Sequence, residues 1–127
     1  MLDEAAKMLA QGRNFAALTT LFPDGRPQTQ VMWVHADDDH VLINTEVHRA
    51  KFKNTSNDPR VTVTVMDAEN PYHYVEVRGH VAEFVRGDEA LENYQLLRQK
   101  YRSKNYSKAI EGERVILKIE VEQAIIH

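Results

Sequence analysis

The 127-residue sequence contains no cysteine. That excludes a disulfide framework, a zinc ribbon, iron–sulfur ligation and a cysteine nucleophile together, and it suits a reducing compartment. Glycine is scarce. The five are Gly12, Gly25, Gly79, Gly87 and Gly112, so neither a dinucleotide-binding GxGxxG turn nor a phosphate-binding P-loop can be written anywhere in the chain. No run approaches the roughly 18 consecutive apolar residues of a membrane-spanning helix. The N-terminal MLDEAAKM lacks the basic-then-apolar pattern of a signal peptide, so a cytoplasmic protein without a membrane span is expected. A formal net charge of -3 offers nucleic acid no general attraction, so no nucleic-acid partner is expected and any anion must be caught by a local cluster of cations. Internal repeats and low-complexity segments are absent as well, and the length suits one domain spanning 1–127 with a core of its own.

The patterning that is present is mainly β. Asp3 is placed to cap a short helix carrying Leu2, Ala5, Ala6 and Leu9 at helical spacing, with Gly12 as its stop. Residues 15–21 form a compact β-prone run, and Pro23-Asp24-Gly25 is a tight-turn signal leading into a second extended run. In that second arm Gln28, Gln30, Met32 and Val34 share one face, and Thr29, Val31, Trp33 and His35 share the other. Neither face is wholly apolar, as befits a strand beside a ligand cleft. Asp37, Asp38 and Asp39 read as a solvated turn, because they lack the alternating ligands, central Gly and distal Glu of an EF-hand loop.

A strand over 40–45, a helical turn or two over 49–57 and a strongly β-patterned run over 60–67 follow. Residues 72–85 are long enough for a strand that bends, with Gly79 as the bulge or close-approach point. Asp88 is expected to cap an amphipathic helix to about Tyr101 with Leu91, Tyr94, Leu97 and Tyr101 on its buried stripe. A polar connection over 102–112 then leads to a final strand over 114–126, with Val115, Leu117, Ile119 and Val121 facing the core. The early connections are too short for crossover helices, which excludes an open parallel sheet. The expected fold class is α+β, mainly β: a small barrel of about six antiparallel strands with helical lids.

The chemistry concentrates in HVLINTEVHRAKFKNTSNDPRVTVTV, residues 40–65, where strand, cation cluster and strand follow one another. Arg49, Lys51 and Lys53, with Asn44, Thr45 and Asn54 near them as neutral donors, combine a planar fork, point charges, a hydroxyl and amides that suit a phosphate or carboxylate. A solvated basic helix is the alternative. Trp33 and the tyrosines at 72, 74, 94, 101 and 106 are able to stack on a flat ring or to pack in the core. Six histidines are present, but His73 and His80 are seven apart and would lie on opposite faces of a regular strand; no HExxH occurs, and no metal site is expected. No nucleophile elbow occurs either. Catalysis here would rest on a cofactor, with the protein supplying position and electrostatics.

The runs GRPQTQVMWV, VLINTEVHRAKFKNTSNDPRVTV and YVEVRGHVAEF resemble the pyridoxamine 5'-phosphate oxidase-like split β-barrel proteins, and are most similar to their small branch that uses the deazaflavin coenzyme F420. The similarity runs over 15–84, and RAKxKN followed by DPRV is its specific part. The resemblance implies an FMN-binding split-barrel fold and a homodimer with cofactor sites in clefts at the subunit interface. It implies that Arg49 and Lys51 bind the cofactor phosphate, with Asn44 and Thr45 beside it, and that the strand from Gln28 to Trp33 lines the ring, with Gln28, Gln30 and Val31 in contact. The vitamin oxidases themselves carry a Gln where this chain has Tyr74, and a C-terminal segment rich in Trp and Arg that is not found after the last strand, so vitamin oxidase activity is not expected.

Two functions follow. One is a reductase in which F420 passes a hydride from its C5 to a conjugated small organic substrate, with solvent or Tyr74 delivering a proton and no committed general acid. The other is a non-catalytic module binding FMN, haem or the deazaflavin. FMN-dependent redox chemistry is a further alternative, because the basic cluster is similar in both branches.

Overall fold

A computed structural model describes residues 2–102 and 112–127. Its elements are α1 (Glu4–Gln11), β1 (Phe15–Leu21), β2 (Pro27–Met32), β3 (His35–Ala36), β4 (His40–Glu46), α2 (Ala50–Asn57), β5 (Arg60–Met66), β6 (Tyr74–Arg86), α3 (Asp88–Lys100) and β7 (Arg114–Ile126). The strands form one antiparallel sheet in the order β2-β1-β5-β6-β7-β4-β3. It curls into a split barrel with β2 and β3 at its two edges. The seventh strand, beyond the six expected, is the two-residue β3, too short to leave a β pattern in sequence.

Strand alternation builds the core. Val61, Val63 and Val65 of β5, Val75 and Val77 of β6, Val41 and Ile43 of β4, and Leu117 and Ile119 of β7 are all buried. Each such side chain contributes about 1.5–3 kcal/mol relative to exposure. Helix α1 closes this core with Ala6, Leu9 and Ala10, its first turn capped by the Asp3 carboxylate accepting from the Ala5 and Ala6 amides. The β1–β2 turn is as the Pro-Asp-Gly signal requires: Gly25 has φ 88° and the Asp24 carboxylate accepts from the Arg26 amide.

The curl comes from β6 and β7, thirteen residues each, which pair with register shifts between Arg78 and Gly79 and between Val81 and Glu83. A Cβ at Gly79 would sit 2.0 Å from the Glu120 carbonyl oxygen, so the strands approach closely only because position 79 has no side chain. Tyr72 and His73 lie in the turn before β6 rather than in the strand.

Helix α3 covers the outer face of β4, β6 and β7, which is why Ile116 is buried on the side opposite Leu117. Two expectations for it are corrected. Gly87, at φ 76°, is the N-cap, and Asp88 is the first helical residue, without a side-chain capping bond. The buried stripe is Ala90, Tyr94, Leu97 and Tyr101, whereas Leu91 is 40% exposed; at 100° per residue the stripe that continues through Tyr94 passes through 90 rather than 91. The connection expected over 102–112, with Tyr106, falls largely outside the described residues.

The C-terminal end of α3 is clasped to the far edge of the sheet. The Lys100 ammonium donates to the carbonyls of Ala10 at 2.9 Å and Val34 at 2.6 Å. The Tyr101 hydroxyl donates to the Asn14 carbonyl and accepts from the Val34 amide, and its ring stacks on Trp33 at 5.1 Å. Burial without a carboxylate partner among the described residues pushes the Lys100 ammonium down to about 8 from 10.5. Among the described residues no helix is long and apolar enough to cross a membrane.

Two outcomes are expected. Gly79→Ala forces β6 from β7 and lowers stability by about 3 kcal/mol, read by urea denaturation. Between pH 8 and 10.5 the unfolded chain holds the Lys100 proton and the folded chain does not, so this residue makes stability rise with pH over that window. His35, itself held low by burial and by Lys100, titrates below that window. The difference in Tm between wild type and Lys100→Met is therefore expected to shift in favour of the wild type from pH 8 to pH 10; a constant difference would refute this.

Candidate anion and cofactor site

The cation cluster forms where β4 ends. The Arg49 amide donates to the Glu46 carbonyl, closing a turn that makes Arg49 the N-cap of α2, and the amides of Phe52 and Lys53 then donate to the Arg49 carbonyl. This places Glu46, Arg49 and Lys51 around one turn of chain. β7 adds Arg114, which lies directly across from Glu46 in the β4–β7 register.

Glu46 is the centre of the group. Its side chain is only 8% exposed, and its Oε1 lies 3.4 Å from Nη2 of Arg49 and 3.4 Å from Nη1 of Arg114. Its Oε2 is buried without a hydrogen-bond partner among the described residues. Arg114, 13% exposed, donates from Nε to Oδ1 of Asn44 at 2.9 Å and lies 4.0 Å from the Tyr94 ring centroid. Burial pushes the Lys51 ammonium below its ordinary value; repulsion from Arg49 and Arg114 adds to this, and Glu46 opposes it. Three cations and one carboxylate thus share one electrostatic environment. Gly112 completes the surround, because a Cβ there would stand 2.9 Å from Nδ1 of His48 and 3.1 Å from Oε2 of Glu46.

The residues selected from sequence are distributed as follows. Asn44 sits beside the cluster, and its amide is committed: Nδ2 donates to the Ala90 carbonyl and to Oδ1 of Asn93, both at 2.9 Å, while Oδ1 accepts from Arg114. Thr45 is buried on the core side, opposite Val115. Asn54 is buried and donates to Oγ1 of Thr20 at 3.0 Å. Gln28 lies across the β1–β2 pair from Thr20, and its Oε1 is buried without a hydrogen-bond partner among the described residues, so Thr20, Gln28 and Asn54 form a second polar group on the flank of α2. Lys53 is exposed.

Gln30 and Val31 lie on the edge strand β2, exposed, Val31 at 68%. Trp33 is half-buried against Tyr101. Tyr74 lies elsewhere within the chain. It pairs with Met66, which pairs with Phe15, five residues along β1 from the Thr20 that Asn54 touches, or roughly 17 Å of strand. Its ring stacks on His127 at 4.4 Å. One chain therefore brings Asn44, Arg49 and Lys51 together, turns Thr45 to the core side, sets Gln28 and Asn54 beside α2, and holds Tyr74 apart.

Glu46 and Arg114 were missed from sequence. Glu46 stood in the quoted run, but an acidic residue at a strand exit ordinarily reads as solvated. Arg114 is 65 positions from Arg49, and only the β4–β7 register places it here.

The family model for pyridoxamine 5'-phosphate oxidase matches residues 2–127. This chain belongs to the pyridoxamine 5'-phosphate oxidase family. A solved F420 reductase is 30% identical to this family member, with a TM-score of 0.84 and 98% of each chain covered. General Stress Protein 26 from Bacillus anthracis str. Sterne shares the fold at 22% identity and TM-score 0.72, covering 97% of this chain and 91% of that one. HupZ from Group A Streptococcus does so at 17% identity and TM-score 0.71, covering 99% and 94%. Family membership and the F420 reductase similarity together support an oxidoreductase-like function.

The Asn44 amide ties α3 to the sheet, so Asn44→Ala is expected to lower stability by about 1–3 kcal/mol in urea denaturation. Lys53→Ala, at an exposed position, is expected to stay within about 0.5 kcal/mol of wild type.

Proposed function

We propose that this protein is an F420-dependent oxidoreductase acting on a conjugated small organic substrate, with Arg49 and Lys51 holding the cofactor phosphate. The observation that carries the reading is the convergence of Arg49, Lys51 and Arg114 at the β4–α2 turn in a chain 30% identical to an F420 reductase over nearly its whole length.

The residues fit a phosphate-bearing cofactor. Arg49 is half-exposed and offers a planar fork, Lys51 a half-buried point charge, and the buried Oε1 of Gln28, without a hydrogen-bond partner among the described residues, leaves an acceptor for a polar ring edge. Bound deazaflavin would supply the hydride. The protein's part is position: the cation cluster anchors one end, while Gln28, Gln30, Val31 and Trp33 offer the β2 edge to the ring, and Asn44, Thr45 and Asn54 keep β4 and α2 in place behind the anchor.

The reading includes a homodimer. Phe15, Ala17, Val31, Thr62, Thr64 and Met66 share the outer face of β2, β1 and β5 by register, an uncharged patch bordered by Arg60 at the start of β5, on which Val31 is 68% and Phe15 43% exposed. A second copy seated there covers the open β2 edge and brings a partner surface to the ring-binding strand. FMN is the alternative cofactor, since a phosphate-holding cation pair serves either.

The test is a fluorescence titration of cofactor-free protein with F420 and with FMN, followed by turnover of reduced F420 with conjugated acceptors. F420 is expected to bind, and the Arg49→Ala/Lys51→Ala double variant to bind it roughly 100-fold more weakly. Preference for FMN would move the protein to flavin chemistry. Binding of neither, or equal binding by the double variant, would overturn the site assignment.

A further inference from the structure

The two edges of the sheet are neighbours in sequence. β2 and β3 stand at opposite ends of the strand order, yet only Trp33 and Val34 lie between them in the chain. Laid flat, seven strands would put those edges about 29 Å apart, whereas the three residue steps from Met32 to His35 reach at most about 11 Å. The sheet must therefore close on itself at Trp33 and Val34. That joint is the seam of the barrel.

The seam has no ladder of its own. The β1–β2 register ends at Met32 and the β3–β4 register begins at His35, so the amide and carbonyl of the fully buried Val34 lie outside both. Buried peptide groups need partners, and the end of α3 supplies them. The Val34 amide donates to the Tyr101 hydroxyl at 3.1 Å, and the Lys100 ammonium donates to the Val34 carbonyl at 2.6 Å. The same two side chains also donate to the carbonyls of Ala10, at the end of α1, and Asn14, just before β1. Four segments thus meet at two adjacent residues of α3.

Trp33, the sole tryptophan, follows this arrangement. Its indole lies 5.1 Å from the Tyr101 ring and is inclined to it by 4°, while Phe15 packs on the same tyrosine at 5.3 Å. The clasp stands apart from the cation cluster: His35 pairs with Leu42, four residues along β4 from Glu46, or roughly 13 Å of strand.

We propose that Lys100 and Tyr101 are positioning residues for the cofactor ring: by holding the Val34 peptide at the seam they fix the end of β2 and the set of the Trp33 indole, and with them the surface offered to a flat ring. This rests on the reading above in which β2 lines the ring, and it adds what holds β2 there. The phosphate end of the cofactor, anchored at Arg49 and Lys51, does not depend on the clasp.

The experiment compares wild type, Tyr101→Phe, which removes the hydroxyl and keeps the stacked ring, and Lys100→Met, which removes both ammonium contacts. Calorimetric titrations are run with F420, with FMN and with inorganic phosphate on protein shown to be folded by its urea midpoint. Hydrogen exchange of the Val34 amide is followed by NMR. Tyr101→Phe is expected to speed that exchange at least about tenfold while the Val63 amide of the core is unchanged. Either variant is expected to bind the cofactor that the wild type takes about tenfold more weakly, with phosphate affinity kept within about twofold. A residue serving stability alone would leave both affinities unchanged or lower them together, and either result overturns the proposal. Wild type that binds phosphate but neither cofactor refutes the ring site, and the positioning role falls with it. Wild type and both variants binding the cofactor equally refutes the positioning role alone.

If neither variant folds, the wild type decides. The bound cofactor is expected to slow exchange of the Val34 amide at least about threefold, and inorganic phosphate to leave it unchanged. An amide indifferent to the cofactor, or slowed equally by phosphate, overturns the proposal.

Discussion

The pairing of β6 with β7 is the constraint on which the rest of the molecule depends. Two thirteen-residue strands can pair and still bend only where the ladder yields, and it yields at Gly79, where the Glu120 carbonyl occupies the space a Cβ would need. The bend turns Val75, Val77, Val81, Leu117 and Ile119 toward a common interior that α1 then closes. It also leaves the first half of β7 between β6 and β4, while the second half runs with β6 alone. A flat sheet of the same composition would have neither an enclosed core nor the register that sets Arg114 beside Glu46.

From that register the candidate site follows by contact. Arg114 reaches Asn44, Asn44 reaches the carbonyl of Ala90 and the side chain of Asn93, and the Tyr94 ring lies over the guanidinium, so the docking of α3 and the charge of the cation cluster are joined by one polar network. Buried polar groups are costly unless satisfied, and here nearly every one is. Two of the exceptions lie beside the cluster: Oε2 of Glu46 and Oε1 of Gln28 are buried without hydrogen-bond partners among the described residues, one inside the cation cluster and one on the flank of α2, on the two sides of the position that the phosphate and ring of a cofactor would take in the function proposed above.

The two ends of the sheet have different characters. Around the β4–α2 turn the side chains are charged and amide-bearing, while the outer face of β2, β1 and β5 is mostly threonine, alanine, valine, phenylalanine and methionine, with Arg60 at its border.

Much of the fold was legible in the residues because it is local. The alternation of Val61, Val63 and Val65, the Pro-Asp-Gly turn, the Asp3 cap and the glycine at 79 each act over a few positions, and the structure places them as those patterns require. Where the reading failed, a local rule admitted two answers: Gly87 rather than Asp88 at the α3 cap, and Ala90 rather than Leu91 on its buried stripe. The β3 strand was invisible because two residues carry no period. By itself the sequence determined the strand order along the chain, the class of fold and the presence of Arg49 and Lys51 at one strand exit, since these depend on neighbours in the chain. Only the tertiary structure decided that Arg114 and a buried Glu46 belong with them and that Asn44 is bound to α3, because antiparallel register and burial are set by residues some seventy positions apart, whose mutual distance no local pattern encodes.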